Sequence, residues 1–276
     1  MFIIVTDFVL ALILIMFVGI GAVVLVEAFL GSSTAEGPGG PTRGPRPLLR
    51  ITTGVALMAA GAAMTAGQLN RWHTCLGWRW SSAETTCGAI QDYTWSKRFP
   101  GTSIWQGIGF LLLAVALASA LTATAAQRRD TGTPERSGWA RIRAVGIAAL
   151  GAVAAALFTL GGLAYVGVSV TGGGYAAAAI LFDPLLFAAL AVLLAADGRF
   201  SGVRPGWWDR RLVRLFAGLA MTNFLLEYLF WSLIIDAYDT PPFTGQLRAL
   251  LLVFGGWMMS VPRTKRGHQE TFSQAK

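Results

Sequence analysis

Long apolar runs alternate with short polar segments along almost the whole chain. Seven runs stand out, at residues 4–30, 48–69, 103–125, 143–169, 175–196, 212–235 and 244–261. Each reaches or approaches the ~20 apolar residues that carry a helix across a bilayer. The pattern predicts an all-α membrane protein of seven transmembrane helices, built as one polytopic domain over residues 1–276 without a fixed-period repeat. The first run has no basic segment before it and is too long for a signal-peptide core, so it reads as an uncleaved span.

Charge sets the orientation. Alternate connections hold Arg43, Arg46 and Arg50; Arg128, Arg129, Arg136, Arg141 and Arg143; Arg199, Arg204, Arg210, Arg211 and Arg214; and, in the tail, Arg263, Lys265, Arg266 and Lys276. These are seventeen residues on one side, against Arg71, Arg79, Lys97 and Arg98 on the other. Basic residues concentrate on the cytoplasmic side of membrane proteins. The N-terminus is therefore expected outside and the C-terminus in the cytoplasm, which an odd number of spans requires.

Composition agrees with this reading. Of the 276 residues, 54% are hydrophobic and only 13% charged, about half the charged fraction of a soluble domain. The net charge of +8 comes from the loop arginines, so it calls for no nucleic acid. Abundant Ala and Gly, with Arg preferred over Lys, suggest a bacterial plasma membrane.

The connection at 70–102 is Trp-rich and falls outside. Trp72, Trp78, Trp80, Trp95 and, just beyond it, Trp105 fit either an aromatic belt or a small ordered cap over the outer mouth. Its Cys75 and Cys87 are the only cysteines, and an oxidising outer compartment predicts a Cys75–Cys87 disulfide.

Ionisable residues inside hydrocarbon are costly and mark sites or helix locks. Asp7 and Glu27 lie near the ends of the first span, within reach of water. Asp183, Glu227 and Arg248 lie deeper, on the fifth, sixth and seventh spans, at one depth to within roughly 5 Å at 1.5 Å rise per residue. The sixth and seventh spans share a short connection, so a Glu227–Arg248 pair is geometrically easy. Asp183 precedes Pro184, which removes a backbone donor and loosens its helix. Asn223, Glu227 and Trp231 recur every four residues on one face, with Phe224 beside them. Burial raises the pKa of a carboxyl group, letting it donate a proton, and aromatic faces stabilise a developing cation.

Several chemistries are excluded. His73 and His268 lie outside the spans, and no span holds Cys, so haem, buried zinc and copper centres lack their ligands. The rhodopsin plan also has seven spans and an outer N-terminus, but retinal needs a lysine within a helix. Lys97, Lys265 and Lys276 all lie outside the spans. No cofactor is expected.

The stretch Asn223-Phe224-Leu-Leu-Glu227 resembles one carried by the small seven-helix integral-membrane terpene cyclases of meroterpenoid pathways. In that family the glutamate is thought to act in the proton chemistry. The resemblance implies Glu227 as proton donor to an epoxide or olefin of a prenylated substrate. The family carries this stretch on an early helix and a second acid on its last; here the stretch is on the sixth, and Asp183 is the other deep acid. Glu227 and Asp183 are thus the candidate catalytic residues. Asn223, Phe224, Trp231 and Arg248 would line the site of a lipophilic small molecule. Two other readings stay open: a proton-coupled transporter using the same acids as a relay, and a non-catalytic membrane subunit or receptor whose intramembrane charges lock helices together.

Overall fold

The computed structural model describes residues 47–72, 100–130, 138–171, 184–196, 206–222 and 245–261. Among them it is entirely helical, with six helices: α1 (Pro47–Trp72), α2 (Pro100–Asp130), α3 (Gly138–Thr171), α4 (Leu185–Ala196), α5 (Trp207–Met221) and α6 (Gln246–Ser260). Within α1, α2 and α3, the stretches Pro47–Asn70, Ile104–Gln127 and Ile142–Gly167 are long and apolar enough to cross a membrane. The expected first span, 4–30, the first part of the fifth, the latter half of the sixth, and the loop bearing Cys75 and Cys87 lie outside the described residues.

Each helix packs on the next in chain order, and α6 returns to α1, so the six close into a ring in which α4 also touches α2. The pairs α1–α2, α2–α3, α5–α6 and α6–α1 run antiparallel. Thr53 of α1 meets Ser119 of α2, Gly107 of α2 meets Gly162 of α3, and Gly54 of α1 meets Gly256 of α6. One end of the bundle is therefore formed by the starts of α1, α3 and α5 and the ends of α2 and α6.

Glycine sets two of these crossings. A Cβ on Gly54 would lie 2.7 Å from the Gly256 carbonyl oxygen, and one on Gly256 would be as crowded by the Gly54 carbonyl. Gly107 and Gly162 repeat the arrangement, at 2.7 and 2.8 Å. Backbone meets backbone at both points, as small residues permit between helices that gain no hydrophobic energy from lipid.

The core is apolar and rich in alanine. Leu57, Leu117, Phe158, Leu185, Trp208, Leu212, Phe216 and Leu252 are wholly buried. α4 has no polar face and is buried on most sides, as expected of a helix without a solvated stripe. The outer surface is apolar too. Val115, Val153, Leu160, Leu163, Leu250, Phe254 and Trp257 are half or more exposed. In water this would be a large sticky surface; against acyl chains it carries no penalty.

Polar side chains in these helices turn to their own backbone. Thr122, Thr124 and Thr159 each donate to the carbonyl four residues earlier. Thr53 and Ser119 do more. Their hydroxyls meet 2.9 Å apart between α1 and α2, while Thr53 also reaches the Leu49 carbonyl and Ser119 the Ala116 carbonyl. Two hydroxyl protons serve three short contacts, so the network exchanges donors.

Expected boundaries shift in one instructive place. Residues 207–211, read as loop because of their arginines, form the start of α5. The Asp209 carboxylate accepts from the Gly206 N–H at 2.8 Å and so caps the helix that contains it. Arginine lowers a hydropathy average without disfavouring a helix, because its long apolar stem lies along the helix while the charge reaches outward. Trp72 likewise belongs to α1 rather than to the connection that follows it.

A buried arginine at the α5–α6 junction as the candidate functional site

Arg248 is the sequence-predicted site residue that falls among the described ones. Glu227, Asp183, Asn223, Phe224 and Trp231 lie outside them. Arg248 is the third residue of α6, in its first turn, and is only 8% exposed. Its Nε and Nη2 groups both donate to the carbonyl oxygen of Thr222, at 3.0 and 2.7 Å.

Thr222 is the C-cap of α5. Its N–H donates to the Gly218 and Leu219 carbonyls at 3.2 and 3.1 Å, and its hydroxyl donates to the Leu219 carbonyl at 2.9 Å. The last turn is thus tightened, and its terminal carbonyl faces a neighbouring cation. Helix C-termini carry partial negative charge, and charge-assisted hydrogen bonds are roughly twice as strong as neutral ones. The residues next in sequence are Asn223 and Phe224, with Glu227 three positions after Phe224.

Gly245 and Gln68 complete the polar setting. Gly245, the N-cap of α6, has φ +99°, in the left-handed region that favours glycine. A Cβ there would lie 2.6 Å from Gln68 Nε2. Gln68, near the end of α1, is 8% exposed. Position 245 therefore excludes side chains for two independent reasons, backbone conformation and the glutamine against it. Both residues escaped the sequence reading. Gln68 is a polar break in an otherwise apolar run, and the glycine sits directly before a helix start; those were the available signals.

The opposite end of the same helix pair repeats the device. Arg211, in the first turns of α5, donates through Nη1 to the Met258 carbonyl at 2.8 Å and lies 3.5 Å from that of Val261. Its guanidinium also stands 4.9 Å from the centre of the Trp207 ring, a cation–π distance. An arginine near the start of each helix thus binds the carbonyl end of the other. The basic residues Arg50, Arg128, Arg129, Arg141, Arg143, Arg210, Arg211 and Arg214 all lie on segments at the α5 N-terminal end of the bundle.

No family model, curated protein or solved structure matches this chain.

Proposed function

We propose that this protein is a multi-pass enzyme of a bacterial plasma membrane, with seven spans, an outer N-terminus and a cytoplasmic C-terminus. Its site lies in the outer half of the bundle and binds a lipophilic, prenylated small molecule for acid-catalysed cyclisation. The observation that carries this reading is the buried Arg248 guanidinium at the closed end of α5, directly before Asn223. A fixed cation there supplies an oxygen-binding group beside the acid stripe. The clustering of arginines at the opposite end supports the orientation.

In this reading protonated Glu227 donates its proton to the oxygen of a substrate epoxide. The C–O bond breaks, an olefin of the same molecule closes on the carbon left electron-poor, and Asp183 takes up the proton lost from the final cation. Asn223 and Arg248 hold the substrate oxygen; Phe224 and Trp231 face the cation. The test is Glu227→Gln in membranes supplied with a prenylated epoxide. Turnover is expected to vanish while the protein still accumulates; turnover at the wild-type rate rejects the role.

A second reading has its own support. Arg211 and Arg248 make the same kind of contact at opposite ends of one helix pair, as helix-locking charges in a non-catalytic subunit or receptor would. Co-purification of a stable partner, with Glu227→Gln fully tolerated, favours that reading over the first.

A further inference from the structure

We draw no further inference here: the strongest candidate, the outward apolar face of α3 lined by Ile142, Val145, Val153, Leu160 and Leu163, carries nothing, because nothing in the structure shows what covers it.

Discussion

Arg248 and Thr222 join the first turn of α6 to the closed end of α5 through two guanidinium N–H groups on one carbonyl oxygen, at 3.0 and 2.7 Å. Arg248→Ala would leave that carbonyl without these donors in a buried setting. Hydrogen bonds to charged groups contribute about 1.5–3 kcal/mol, so the variant should lose roughly 2 kcal/mol. Arg248→Lys should recover only part of this, because a single ammonium does not reproduce the two-pronged contact. Thermal unfolding in micelles decides it; equal midpoints for wild type and alanine variant would show that the contact contributes nothing.

Arg211 should behave differently from Arg248. It is half-buried, serves the Met258 carbonyl and covers Trp207. Loss of an exposed-edge charge contact and a cation–π contact together costs about 1 kcal/mol. Arg211→Ala is therefore expected to destabilise less than Arg248→Ala in the same assay, and the reverse order would contradict the burial argument.

Glycine substitutions should split sharply. Gly256→Val drives a side chain into the backbone of α1, and overpacking costs about 1–3 kcal/mol or more. A Cβ at Gly146 meets nothing within 4 Å. Gly146→Ala in mid-helix should be neutral or gain up to ~1 kcal/mol. Expression level and unfolding midpoint of the two variants provide the comparison.

Thr53→Val and Ser119→Ala should be non-additive. Interhelical hydrogen bonds in membranes average about 0.6 kcal/mol, and the two hydroxyls share one network. The double variant is expected to lose less than the two single losses together. A double-mutant cycle by reversible unfolding measures the coupling directly.

Cys75 and Cys87, the only cysteines, should form a disulfide on the outer side. Intact cells treated with a maleimide probe are expected to leave the protein unlabelled until a reductant is added. Labelling without reduction would remove the bridge and weaken the orientation argument.

Some of this was legible in the sequence, for a physical reason. Bilayer thickness imposes a length on every spanning helix, so apolar run length alone predicts α1, α2 and α3 nearly to their ends. Capping cannot be seen that way. The start of α5 at Trp207 depends on Asp209 folding back to Gly206, and the arginines there depress the hydropathy that marks a span. Arg248 was legible as an anomaly, a charge in an apolar run. Its contact with Thr222 was not, because that acceptor is a backbone carbonyl, and every residue has one.

Hydrophobic and charge patterning by themselves determined that the described residues are helical, where three long spans run, and at which end the arginines of those helices gather. These follow from local composition against the requirements of hydrocarbon. Only the tertiary structure decided that α6 closes back onto α1 through Gly54 and Gly256, and that Arg248 seals α5 at Thr222. Those facts depend on which faces meet and in what register. Side chains distant in sequence set that register by how closely two backbones can approach.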